Sequence, residues 1–272
     1  MITPATKLTA VLGDPVTHSL SPLLHNAIYE KEGVDAVYLA FGNPEVEPLI
    51  AAMRALPIHH AAVTMPHKQT IMPFLDTIDE EARAIGAVNT VINRDGKLHG
   101  YNTDVVGVAK ALEAVPLKGT NALVIGAGGA ARTVVYHLSR EGANVFVHNR
   151  EEKQARELCD VFGCTVIGES EIAKREYGLI VNATPIGMRP DVDSMPVAAE
   201  MLHAGIAVFD LVYSPLETKL LRTAKEKGAK PTSGLIMFLA QGLEQERLWL
   251  GRDIEQTPYE KLLEEHIRMR DS

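Results

Sequence analysis

The chain has 272 residues, 46% hydrophobic, 23% charged and 5% aromatic, with a formal net charge of −8. This length and balance describe an ordinary globular protein with one large core or two modest ones. The acidic balance, without any block of basic residues, argues against nucleic acid or an anionic membrane surface as partner, and no apolar run is long enough to span a bilayer.

The opening residues lack the basic-then-apolar pattern of a signal segment, so the expected location is the cytoplasm. Cys159 and Cys164 are then expected as reduced thiols on a helix and a strand. An acidic protein that binds an acidic ligand must concentrate positive charge locally, which makes single lysines and arginines in pockets informative.

Short strands alternate with amphipathic helices over the first hundred residues. Lys7 to Leu12 reads as a strand and Pro22 to Lys31 as a helix opened by proline. Ala36 to Ala40 is a second strand, Glu45 to Leu56 a helix and Ala61 to Thr64 a third strand. Ala87 to Asn93 and Lys97 to Tyr101 form a hairpin across Arg94-Asp95-Gly96. A new pattern begins near residue 120, with strands at Asn121 to Ile125, Asn144 to His148, Leu179 to Asn182 and Ala207 to Asp210. Helices run to Ser139 and from Glu151, and residues 235 to 272 read as helical to the end. Strands and helices alternating at this spacing predict a parallel sheet covered on both faces, an α/β fold.

The first strand of the second pattern runs into Gly126-Ala127-Gly128-Gly129-Ala130-Ala131 and then a helix. A first glycine permits the tight turn, a second lets the backbone approach a pyrophosphate, and the helix amides that follow meet its charge. The strand before and the helix after make this a dinucleotide site instead of an ordinary β–α turn. At the end of the next strand stands His148-Asn149-Arg150, where NAD enzymes place an acid. An arginine there pairs with a 2′-phosphate, which favours NADP; Glu151 and Glu152 follow directly and keep NAD open.

Four further segments bring chemistry. Ser19-Leu20-Ser21-Pro22 puts two hydroxyls on one side if the segment is extended, although Ser21 also reads as a plain helix cap. Val63-Thr64-Met65-Pro66-His67-Lys68 ends a strand with a hydroxyl and then a lysine. Ala87-Val88-Asn89-Thr90 and Tyr101-Asn102-Thr103-Asp104 complete the set. Their order and spacing, ahead of the glycine turn, resemble the shikimate dehydrogenase family. Asn182 to Met188, Tyr213 to Thr218 and Gly234 to Gly242 resemble family segments too, so the resemblance covers essentially the whole chain.

The resemblance implies a substrate-binding and catalytic α/β domain of residues 1–104 plus 236–272, to which the C-terminal helices return. It also implies a doubly wound parallel-sheet (Rossmann) dinucleotide domain of residues 105–235. By the same resemblance Ser19, Ser21, Thr64, Asn89, Tyr213 and Gln241 hold substrate carboxylate and hydroxyls, with Lys68 and Asp104 as the catalytic pair at the reacting carbinol. Gly126, Ala127, Gly128, Gly129, Ala130, Asn149, Arg150, Thr184, Leu211 and Gly234 line the cofactor. The implied reaction is NADP-linked reduction of 3-dehydroshikimate to shikimate, by a monomer or homodimer.

Two positions depart from the family pattern. Ala62 stands where an asparagine is common, and Glu151 where a threonine follows the arginine, with Lys153 displaced by one place. A site built around hydroxyls discriminates strongly when a polar partner is missing, so quinate or an aminated shikimate analogue, with NAD, is the alternative enzyme. A non-catalytic dinucleotide sensor on the same scaffold is a second alternative, disfavoured because such a sensor has no need of both Lys68 and Asp104. No metal is expected: His59, His60 and His67 fit no ligand spacing and read as loop and strand-edge residues, and His18 and His25 as structural.

Overall fold

The apolar runs before residue 104 and those after residue 120 build two separate sheets. The computed structural model describes residues 2–271. The chain divides into two units: one runs to Thr103 and takes back Gln241–Leu263, and the other is Asp104–Ala240 with the chain from Glu264 onward.

The first unit contains β1 (Lys7–Gly13), α1 (Ser21–Glu32), β2 (Ala36–Gly42), α2 (Val46–Ala55), β3 (His60–Val63), α3 (His67–Thr70), β4 (Thr77–Ile78), α4 (Glu80–Ile85), β5 (Thr90–Arg94) and β6 (Lys97–Tyr101). Its strands lie in the order β2-β1-β3-β5-β6-β4. The sheet is mixed, not parallel: β3–β5 and β5–β6 run antiparallel. The reversal is made by Asp95 and Gly96, both at positive φ (53° and 83°), the backbone that a two-residue hairpin requires. Leu12, Met53, Ile58, Ile71, Val91 and Leu98 fill the core.

Three expectations need correction here. Leu20 adopts right-handed helical angles (φ −87°, ψ −2°), so Ser19 and Ser21 do not sit on an extended segment and the alternation argument fails. Ser21 is not a cap either; it is the first residue of α1. His60 opens β3, fully buried between β1 and β5, and His67 is buried with its Nε2 against the Asn43 carbonyl at 2.7 Å. Neither is a loop or edge histidine.

The second unit contains α5 (Asp104–Leu112), β7 (Asn121–Ile125), α6 (Gly129–Arg140), β8 (Asn144–His148), α7 (Glu152–Phe162), β9 (Thr165–Val166), α8 (Glu169–Ile172), β10 (Leu179–Asn182), β11 (Ala207–Asp210), α9 (Lys219–Glu226) and β12 (Lys230–Ser233). Its sheet has the order β12-β11-β10-β7-β8-β9, parallel throughout. Strand order turns back between β7 and β10, so the two loops leaving their carboxyl ends flank the switch point. Alternate residues of β7 feed opposite cores: Ala122 and Val124 pack with Val134, Leu138 and Phe209, while Leu123 and Ile125 pack with Val208 and Leu220.

α10 (Gly234–Leu250) and α11 (Thr257–Asp271) follow. The expected unbroken helix is interrupted because Gly251 takes φ 72° and Pro258 restarts a helix in its first turn. β12 escapes sequence reading because it is a short edge strand carrying Pro231. Cys159 and Cys164 are joined in a disulfide, contrary to the expected thiols. Gly163, at φ 71°, ends α7 and turns the chain back so that the two Cα atoms come within 4.4 Å.

Candidate functional site

The first unit brings three of the motif segments into one hydrogen-bonded cluster. The hub is Asn89, 2% exposed. Its Oδ1 accepts from the Thr103 backbone N–H (2.7 Å) and from the Thr90 hydroxyl (2.8 Å). Its Nδ2 donates to Thr103 Oγ1 (3.0 Å) and Gln241 Oε1 (3.3 Å), and Gln245 Nε2 donates to Gln241 Oε1 (3.0 Å). Backbone bonds complete the clamp: Val63 N–H to Asn89 carbonyl, Val88 N–H to Lys68 carbonyl, both 2.7 Å, and Asn89 N–H to Tyr101 carbonyl, 3.0 Å. The Asn102 amide donates to the Ala87 carbonyl at 2.8 Å. Segments 63–68, 87–90 and 101–103, far apart in sequence, are thereby fixed to one another.

Thr64 and Lys68 are half-buried in this cluster's neighbourhood. A side chain on Gly13 would run into the Thr64 methyl, which is why β1 ends in glycine beneath it. Ser19 Oγ accepts from the Ser21 N–H at 3.2 Å, and Ser21 is buried at the start of α1. Asp104 follows Thr103 directly, is 4% exposed and opens α5. Thr90, Thr103 and Gln245 were not among the expected site residues. Gln241 and Gln245 are spaced i,i+4 on α10, the one signal by which the second glutamine was detectable.

In the second unit Gly126 is buried at φ 115°, and a Cβ there would press on the Ala183 carbonyl (2.8 Å), so only glycine lets the turn close. Space above Gly128 is open, and α6 starts there without a side-chain cap. Its first amide groups are therefore left for an anion, and the residues fit the pyrophosphate of a dinucleotide. Ala127, Gly129 and Ala130 are half-buried around this turn. Gly234 opens α10 where any side chain would strike the Leu211 carbonyl. Tyr213 is half-buried, its ring 4.8 Å from that of Phe238.

Beneath the loop after β10 lies a polar network that sequence reasoning missed. Asn182 Nδ2 donates to Asp210 Oδ1 (2.9 Å), the Thr218 hydroxyl to Asp210 Oδ2 (2.6 Å), and the Thr184 hydroxyl to Asn182 Oδ1 (2.6 Å). The Val212 N–H adds a bond to Asp210 Oδ1 (3.0 Å). Burial pushes the Asp210 carboxyl up to about 6, against the opposing pull of Thr218, Val212 and Asn182. The signal was a polar residue ending each apolar strand, Asn182 on β10 and Asp210 on β11. At the end of β8, Asn149 donates to the Glu151 carbonyl and to Gln154 Oε1, while Gln154 Nε2 holds Glu151 Oε2 at 2.9 Å. Arg150 is exposed and the Glu151 carboxylate is occupied by Gln154.

Residues 11–91 match the shikimate dehydrogenase substrate binding domain family, and residues 108–184 the shikimate / quinate 5-dehydrogenase family. The chain is 42% identical to the shikimate dehydrogenase (NADP(+)) of Pyrococcus furiosus, with 93% of each chain covered. It is 41% identical to the shikimate dehydrogenase of Aquifex aeolicus in its crystal structure, with a TM-score of 0.89 and coverage of 96% and 98%. With the Thermus thermophilus shikimate 5-dehydrogenase, solved in complex with NADP(H) and shikimate, identity is 40% and the TM-score 0.85, covering 94% and 97%.

Proposed function

The chain belongs to the shikimate dehydrogenase family, and from that premise we infer an oxidoreductase that reversibly reduces 3-dehydroshikimate to shikimate with NADP, a step of aromatic amino acid biosynthesis. One observation carries the assignment of residues: the Asn89 hub ties the segments bearing Thr64, Lys68 and Thr103 together. NADP supplies the reducing equivalent when bound.

The chain's own residues bind, orient and move a proton. Ser19, Ser21, Thr64, Asn89, Tyr213 and Gln241 hold the ring carboxylate and hydroxyls. Lys68 is the proton-transfer group: as an ammonium it protonates the carbonyl oxygen during reduction, and as an amine it takes the hydroxyl proton back. Asp104 orients Lys68 and bonds a ring hydroxyl, since a carboxylate beside a lysine favours the ammonium form. Gly126, Ala127, Gly128, Gly129 and Ala130 would hold the pyrophosphate, at the start of a helix that has no side-chain cap. Thr184, Leu211, Gly234 and Asn149 would line the cofactor, and Arg150 would pair with its 2′-phosphate.

The enzyme is a monomer or homodimer that works in the cytoplasm on small molecules, without nucleic acid or membrane; the net charge of −8 supports this partner class. Among the described residues no helix is long and apolar enough to cross a membrane.

The test is steady-state kinetics with shikimate and quinate, each against NADP and NAD. The reading expects shikimate with NADP to lead in kcat/KM by at least about tenfold. Ala62, 7% exposed on β3, gives quinate a specific opening, and a lead for quinate would make that the substrate.

A further inference from the structure

Three ionisable side chains meet in the core of the first unit with no role in the reaction above. His25 lies one turn after Ser21 on α1, His60 begins β3, and Glu246 sits on α10 directly after Gln245. All three are fully buried, and one potential ligand atom from each lies within 4.8 Å of the others. Glu246 Oε1 is in hydrogen-bond contact with His25 Nδ1, accepts from the Tyr29 hydroxyl at 3.0 Å and lies 3.8 Å from His60 Nδ1. Aromatic rings fix the imidazoles: His25 stacks on Tyr38 at 4.2 Å and His60 on Trp249 at 6.0 Å.

The protein leaves this cluster underused. Both nitrogens of His60, Nε2 of His25 and Oε2 of Glu246 are buried without a hydrogen-bond partner. Orphaned buried polar atoms are rare and each is costly, so four within one cluster demand a common cause. Two buried imidazoles facing one carboxylate, with their potential ligand atoms within 4.8 Å of one another, are a donor set that a single cation accepts from all at once.

We infer that His25, His60 and Glu246 form a buried binding site for a divalent cation of the zinc class. Two imidazoles and one carboxylate match the borderline preference of that ion, and a water completes the coordination. Its role is structural: it joins α1, β3 and α10, the elements that carry or lead into Ser21, Thr64 and Gln241. Ligands must be deprotonated, so the ion is acquired during folding and is lost with unfolding in acid or chelator.

The test uses the full chain without an affinity tag. Protein purified from zinc-supplemented culture is expected to contain about one zinc per chain by elemental analysis. Unfolding in chelator and refolding without metal is expected to lower the thermal midpoint by several degrees, with Zn²⁺ restoring it. Refolding with Co²⁺ is expected to give the visible bands of low-coordinate cobalt, lost in His60→Gln and Glu246→Gln. X-ray absorption of the wild-type cobalt form, reading two imidazoles at the ion, decides the matter if those variants do not fold. Protein free of bound metal whose midpoint and spectrum ignore Zn²⁺ and Co²⁺ overturns the site, and so does metal that folded variants retain.

Discussion

Asn89 and Thr103 are joined in both directions: the Thr103 backbone N–H donates to Asn89 Oδ1 at 2.7 Å, and Asn89 Nδ2 donates to Thr103 Oγ1 at 3.0 Å. Both residues are buried, so water does not replace these bonds. Asn89→Ala is expected to orphan the Thr103 amide, lowering stability by about 1–3 kcal/mol. The KM for shikimate is expected to rise as well, because Gln241 loses one of its two donors, Gln245 being the other. Denaturant unfolding and steady-state kinetics read the two effects; wild-type stability in the variant would remove Asn89 from the centre of the cluster.

Lys68→Met keeps the length of the side chain and removes the proton. If Lys68 is the proton-transfer group, kcat falls by roughly 10²–10⁴-fold while the KM for shikimate changes little. A kcat within a few-fold of wild type would assign the proton to another group.

Arg150→Ala separates the two cofactors. The KM for NADP is expected to rise at least about tenfold, since a charge-assisted bond to the 2′-phosphate is lost, while the KM for NAD stays within about threefold. Equal effects on both would move recognition of the phosphate elsewhere. Glu151→Thr is the companion change, expected to lower the KM for NADP a few-fold by removing a nearby like charge.

Gly126→Ala meets both a positive φ of 115° and the Ala183 carbonyl. The expected cost is roughly 2 kcal/mol or more of stability, together with loss of NADP binding, because the turn must open to admit the methyl. Calorimetric titration with NADP checks the second half independently of turnover.

Asp210 gives the second unit a pH dependence whose sign follows from its position. Its carboxyl titrates at about 6 in the folded chain against an ordinary 3.8, so between these values the folded state holds the extra proton. Stability from this group is therefore full below about 3.8 and declines as pH rises towards 6. Asp210→Asn is expected to abolish that slope. At neutral pH it also places an amide against the donors of Thr218 or Val212, at a cost of about 1–3 kcal/mol. Thermal midpoints of both proteins from pH 4 to 7 check the difference; parallel curves would refute it.

Elements whose signals are local are legible in residue order alone. β8, β10 and β11 follow the expected bounds, because an apolar run closed by turn residues has few other outcomes. Asp95-Gly96 fixed its hairpin through backbone preference alone, and the glycine turn announced itself by lying between a strand and a helix. Lys68 and Asp104 are nominated by the resemblance of their motifs to the family pattern, and their roles remain part of the proposal.

Relationships between distant residues come instead from the packing of the folded chain. Nothing local states that Asn89 meets Gln241, that Asn182 and Asp210 share a proton-sensitive network, or that His25, His60 and Glu246 converge. His60 illustrates the reason. In sequence it is one of two adjacent histidines, and its burial follows from β3 being flanked by β1 and β5. Strand order is set by how whole surfaces pack, so the partners of a buried polar group are fixed by that packing and not by its neighbours in the chain.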